Sequence, residues 1–68
     1  NSCTAGLHLS LVANDIGKGD EVIVPTMTFA ATANVVEHVG AIPIIVDINP
    51  NTLNIDIETL ESKITSRT

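Results

Sequence analysis

Gly19-Asp20-Glu21-Val22-Ile23-Val24-Pro25-Thr26-Met27-Thr28-Phe29-Ala30-Ala31-Thr32-Ala33-Asn34 is the stretch that decides how the rest of the chain is read. Val22, Ile23 and Val24 form an unbroken apolar run, the pattern of a strand covered on both faces. Pro25 has no N–H and ends the ladder, so the strand is placed at Glu21–Pro25. A helix is predicted from about Phe29 to Val39, with Thr26 and Thr28 both able to cap it. The carboxyl end of a strand that feeds a helix N-terminus is where open α/β sheets take ligands. Phe29, the sole aromatic residue of the chain, falls at that point.

Outward from this stretch the pattern repeats. Gly40 is the expected C-cap of the helix, and a second buried strand is predicted over Ile42–Ile48, with Pro43 near its start. Strand, helix and strand over residues 21–48 make a βαβ unit, which implies parallel strands and a right-handed crossover. Upstream, a helix is predicted across Asn1–Asn14. Ser2 or Thr4 caps it, and Leu7, Leu11, Val12 and Ala13 give it a broad apolar surface. Gly6 costs that helix about 1 kcal/mol relative to Ala unless something packs close to the backbone. Gly17 is the expected left-handed C-cap and Gly19 a second hinge.

Downstream, Asn49-Pro50-Asn51-Thr52 is a turn and Leu53-Asn54-Ile55 a short extended piece. A last helix opens with Asp56 as N-cap, with Ile55 and Leu60 at hydrophobic-staple spacing. Glu58 in its first turn and Lys63 in its last suit the helix dipole. Ile57, Leu60 and Ile64 form its expected buried stripe. No internal repeat, low-complexity segment or domain boundary is visible, so the 68 residues read as one unit.

Composition excludes several classes. The chain is 44% hydrophobic with a net charge of −5, from eight acids against three bases. Binding nucleic acid by phosphate neutralisation is excluded on that balance, and a basic membrane patch is absent. No apolar run approaches the ~20 residues of a membrane span. One cysteine makes no internal disulfide, in keeping with a reducing, cytoplasmic setting. A chain this short buries roughly 60% of its unfolded surface and is marginal alone. Its almost purely aliphatic core set suits one layer of a larger α/β domain, and it reads as a piece of a longer protein.

The candidate sites each carry a plainer reading. Ser2-Cys3-Thr4-Ala5-Gly6 places small and hydroxyl residues at a helix N-terminus, whose N–H groups and partial positive charge hold anions such as phosphate. The same residues also make an ordinary N-cap, and such caps are common. Phe29 offers a platform for a flat ligand, but a lone Phe at helical core spacing is usually packing. Cys3 lies where a thiol pKa falls, yet no His or acid is placed by sequence to assist it, which favours a buried, inert thiol. Cys3, His8 and His38 match no zinc spacing, so no metal site is expected. His38 reads as a solvated helix residue. Asp20-Glu21 reads as the start of the strand. Asp47, at the carboxyl end of the second strand, is placed equally well for function or for capping the following turn.

Three stretches in register carry a resemblance to a known family. They are Ser2-Cys3-Thr4-Ala5-Gly6-Leu7-His8-Leu9, residues 17–34 from Gly17-Lys18-Gly19-Asp20 through Phe29 to Asn34, and residues 40–56 with Gly40-Ala41-Ile42-Pro43-Ile44-Ile45-Val46-Asp47 at their head. Together they resemble the DegT/DnrJ/StrS-type sugar aminotransferases over essentially the whole chain. The resemblance implies an α/β fold, a βαβ-containing fragment of the large domain of a fold-type-I, aspartate aminotransferase-like enzyme. The implied cofactor is pyridoxal 5'-phosphate (PLP). The implied substrates are a nucleotide-linked keto sugar and an amino donor, glutamate. The Thr-Ala-Gly-Leu-His variant is similar to members that make 4-amino sugars, including the 4-amino-arabinose of lipid A.

By the same resemblance, backbone N–H groups at Thr4 and Ala5 hold the cofactor phosphate and Phe29 stacks on the pyridine ring. The Schiff-base lysine and the acid that pairs with the pyridine nitrogen match no residue here. Lys18 and Lys63 do not occupy the lysine position, and no catalytic residue is assigned. A homodimer with the active site at the subunit interface is implied for the full-length enzyme. Within the same fold, a sugar dehydratase and a non-enzymatic regulator are the alternatives.

Overall fold

The computed structural model describes residues 2–28 and 30–68. Its elements run α1 (Cys3–Ala13), β1 (Glu21–Pro25), α2 (Ala31–His38), β2 (Ile42–Val46) and α3 (Ile57–Lys63). β1 and β2 pair in parallel, with Glu21 opposite Ile42 and Pro25 opposite Val46. The βαβ unit expected from the alternation of apolar runs is therefore present. β1 has the limits read from sequence, because Pro25 cannot donate to the ladder.

The first helix starts where Ser2, in extended backbone, turns its Oγ onto the N–H of Ala5 at 3.1 Å. Of the two candidate caps, Ser2 is the one used. At the other end Asp15, not Gly17, takes the left-handed conformation, with φ 56°. Asp tolerates that region better than most residues. Gly17 instead donates its N–H to Asp20 Oδ2 at 2.9 Å, which tightens the turn into β1.

Other expected boundaries move because other groups, near and distant in sequence, claim the expected hydrogen bonds. α2 begins at Ala31 with Ala30 as an N-cap lacking a side-chain bond. Neither threonine caps it: Thr28 Oγ1 pairs with Thr32 Oγ1 at 2.8 Å, and Thr26 Oγ1 donates to Asp47 Oδ1 at 3.4 Å. The expected start at Phe29 lies outside the described residues. β2 stops at Val46, two residues before the expected end. The Asp47 carbonyl accepts from the N–H of Asp56 at 3.1 Å, and Ile48 bridges antiparallel to Ile55. Asp56 precedes α3 as expected, but its Oδ2 accepts from Thr59 Oγ1 at 2.6 Å and not from a backbone N–H. Gly40 does end α2 with φ +84°.

The core lies between α2 and the sheet: Val24, Val36 and Ala41 are buried together, with Leu11, Ile16, Val22, Ala33 and Val39 packed around them. Val35 and Val46 are buried as well. The two strands are not covered on both faces within this chain; Val24 and Val46 are their buried members, while Ile45 is 57% exposed. The expected stripe of the last helix is also open: Ile57 and Ile64 are exposed and Leu60 half-buried. α3 is seven residues long and packs mainly on β2, too little contact to cover three apolar side chains. Residues 65–67 contribute an unexpected tie. Glu21 N–H donates to Arg67 O at 2.9 Å, and Thr65 Oγ1 to Glu21 Oε1 at 2.7 Å.

Candidate functional site

Both longer helices aim their N-termini at the carboxyl end of the sheet. α2 does so because it is the crossover between parallel strands. α1 does so because the turn that follows it lies against the end of α2: a Cβ built on Gly17 would sit 3.4 Å from Val39 O, and one on Gly40 3.7 Å from Lys18 N. The two helices therefore share their C-terminal end, and their first turns face the edge where Pro25 and Val46 leave the sheet. That edge is where a doubly wound sheet presents backbone N–H groups and small residues to a ligand.

Thr4 is exposed and Ala5 half-buried in the first turn of α1. The first intrahelical bond of α1 is Gly6 N–H to Ser2 O at 2.9 Å, so Cys3, Thr4 and Ala5 supply N–H groups with no acceptor inside the helix. Ala5 gives its N–H to Ser2 Oγ. Among the described residues, a Cβ on Gly6 would meet no atom within 4 Å outside the helix's own backbone. Open, small-residue N–H donors fit a phosphate in both size and charge. Phe29, the third site residue expected from sequence, lies outside the described residues. The structure places Thr4 and Ala5 side by side in the first turn of α1.

The other candidates resolve as follows. Cys3 is a free, exposed thiol, contrary to the expectation of a buried one. Among the described residues no cluster of three or more His, Cys, Asp or Glu is placed to hold a metal. His38 is exposed as expected, but its ring lies 6.2 Å from that of His8, tilted by 36°, so it also touches α1. Asp47 caps its own turn: Oδ1 accepts from Ile48 N–H at 2.9 Å. The sequence reading missed that the same oxygen also takes the Thr26 hydroxyl, because it assigned that hydroxyl to a helix cap.

Among the described residues, hollows open on the surface. A groove of about 200 Å³ between α1, β1 and α2 is lined by Leu7, Leu11, Val24, Thr32 and Val36 among others. A larger one of about 430 Å³ lies over residues 49–58, bounded by Asn49, Asn54 and Glu58. Neither of these two hollows is lined by Thr4 or Ala5. No helix among the described residues is long and apolar enough to cross a membrane.

Comparison with known proteins turns this geometry into a lineage. The sequence model of the DegT/DnrJ/EryC1/StrS aminotransferase family matches residues 1–68. The chain belongs to that family. It is 56% identical over all 68 residues to the spore coat polysaccharide biosynthesis protein SpsC of Bacillus subtilis, covering 18% of that protein. It is 54% identical to the GDP-perosamine synthase of Caulobacter vibrioides, again over the whole chain and 18% of the relative.

Among solved structures, Spr1654 of Streptococcus pneumoniae in its PLP form superposes with a TM-score of 0.95 at 50% identity, over 100% of this chain and 17% of that one. The family fold is thus that of PLP-dependent aminotransferases, and this chain has the fold of one part of it. The chain spans about a fifth of the length of the relatives it matches.

Proposed function

We propose that this chain forms part of the large, cofactor-binding domain of a PLP-dependent aminotransferase acting on a nucleotide-linked keto sugar. The observation that carries the reading is the family match across all 68 residues. It is supported by the first turn of α1, which offers N–H groups at the carboxyl edge of a parallel sheet. Thr4 and Ala5 are assigned to the cofactor phosphate and Phe29 to the face of its ring. When bound, the cofactor supplies the electron-accepting ring that carries an amino group between donor and acceptor.

The chain's own contribution is to hold and orient. Backbone N–H groups at a helix N-terminus fix an anion without side-chain rearrangement, and the helix dipole favours the negative charge. Ser2 Oγ competes for the Ala5 N–H, so binding there exchanges one acceptor for another. We assign glutamate as the amino donor, a surface polysaccharide or lipid A sugar as the product's destination, a homodimer as the working form and the cytoplasm as its place. Lys18 and Lys63 are exposed and outside the site, so the 68 residues alone carry no transaminase activity.

The test is incubation of the full-length protein with glutamate and nucleotide-linked keto sugars, read by mass spectrometry. An aminated nucleotide sugar is the expected product. A cofactor-loaded protein that aminates none of them under any donor would remove the aminotransferase assignment.

A further inference from the structure

Thr26 and Asp47 leave the two strands side by side, at the edge where the site is placed. Thr26 extends the ladder by one bond, N–H to Val46 O at 2.9 Å. Its hydroxyl then reaches the Asp47 carboxylate across the strand gap. Asp47 is itself held at both ends: its Oδ1 takes Ile48 N–H, and its carbonyl takes Asp56 N–H. Two residues after Thr26, Thr28 is tied to the first turn of α2 through Thr32. The segment 26–28, which leads directly into the aromatic position of the sequence, is therefore fastened to β2 at one end and to α2 at the other.

We infer that Asp47 is a positioning residue: its carboxylate latches Thr26 and thereby sets the path of the segment that the cofactor ring contacts. The inference rests on the proposed cofactor site. The carboxylate is a good latch because it accepts two donors at once with an orientation fixed by Ile48. The hydroxyl contact is long for its type, so the expected effect falls below that of a well-formed bond to a charged group.

The experiment is a double-mutant cycle in the full-length protein, reading PLP affinity by absorbance titration and folding by thermal melting. Asp47→Ala and Thr26→Val are each expected to raise the cofactor Kd about 3- to 10-fold. The double variant is expected to be little worse than either single one. Asp47→Asn, which keeps an acceptor oxygen, is expected to bind within about twofold of wild type.

Effects on Kd that multiply in the double variant would overturn the inference, as would a Kd unchanged in Asp47→Ala. A shared loss of melting temperature with unaltered cofactor affinity and spectrum would assign the pair a purely structural role, and would also overturn it. If Asp47→Ala does not fold, Asp47→Asn and Thr26→Val decide: equal loss in both overturns the inference. Wild-type protein that binds no PLP defeats the cofactor reading itself and the inference with it, so the two failures are told apart by the control.

Discussion

Gly40→Ala is the substitution whose cost follows most directly from the structure. Gly40 has φ +84°, where an L side chain is strained. A Cβ there would lie 3.7 Å from Lys18 N and 3.9 Å from Lys18 Cα, ordinary contact distances, so no clash contributes. The whole penalty is the backbone conformation, about 1–2 kcal/mol. The strain acts on a junction, since Ala41 N–H donates to Val36 O at 3.1 Å and Ile42 N–H to Asp20 O at 2.9 Å. Amide hydrogen exchange of the full-length protein reads that junction locally.

The Ala41 and Ile42 amides are expected to lose protection about 5- to 30-fold in Gly40→Ala, the equivalent of that free energy. Gly40→Asn is expected to lose less, because Asn visits the left-handed region more readily. Equal or greater protection in the Ala variant would refute the reasoning. It would mean that the chain reaches β2 by a path that does not need glycine.

Val36→Ala empties the centre of the cluster around Val24 and Ala41, since Val36 is 1% exposed, and is expected to cost about 1.5–3 kcal/mol in chemical denaturation. An effect under half a kilocalorie would mean that the core lies elsewhere. Ser2→Ala removes the side-chain N-cap of α1 and is expected to cost about 0.5–2 kcal/mol, with Ser2→Asp near wild type; identical melting of all three would deny the cap a role. Phe29→Leu keeps an apolar side chain but not a ring, so cofactor affinity is expected to fall while the melting temperature changes little. The reverse pattern would make Phe29 a core residue.

The sequence was legible where the deciding chemistry was local. Pro25 ends β1 because it lacks a donor, and Gly40 ends α2 because it can take a positive φ; each property belongs to the residue itself. The parallel pairing followed from the apolar runs on either side of one helix. Legibility failed where a polar group had a choice of partners. Thr26 and Thr28 are good caps by type, but Thr32 claims the Thr28 hydroxyl from within the helix and Asp47 claims that of Thr26 from the end of the next strand, the second being a contact the local pattern does not encode. Asp47 and Ile48 leave the strand because Asp56 and Ile55 pair with them from farther along the chain.

The apolar stripe of α3 was legible as a pattern, but covering Ile57 and Ile64 requires more surface than β2 provides. At the site, the first turn of α1 and its small residues could be read directly. The occupation of the Ala5 N–H by Ser2 could not, since Ser2 and Thr4 are equivalent caps on paper.

The central claim is that this chain helps seat a pyridoxal-type cofactor in an aminotransferase. The most direct measurement is the visible absorption spectrum of the purified full-length protein before and after glutamate is added. The account predicts a bound-cofactor band that shifts to that of the aminated cofactor. A protein that stays colourless and binds no cofactor even after incubation with PLP would contradict it, and would leave Thr4 and Ala5 as nothing more than the start of a capped helix.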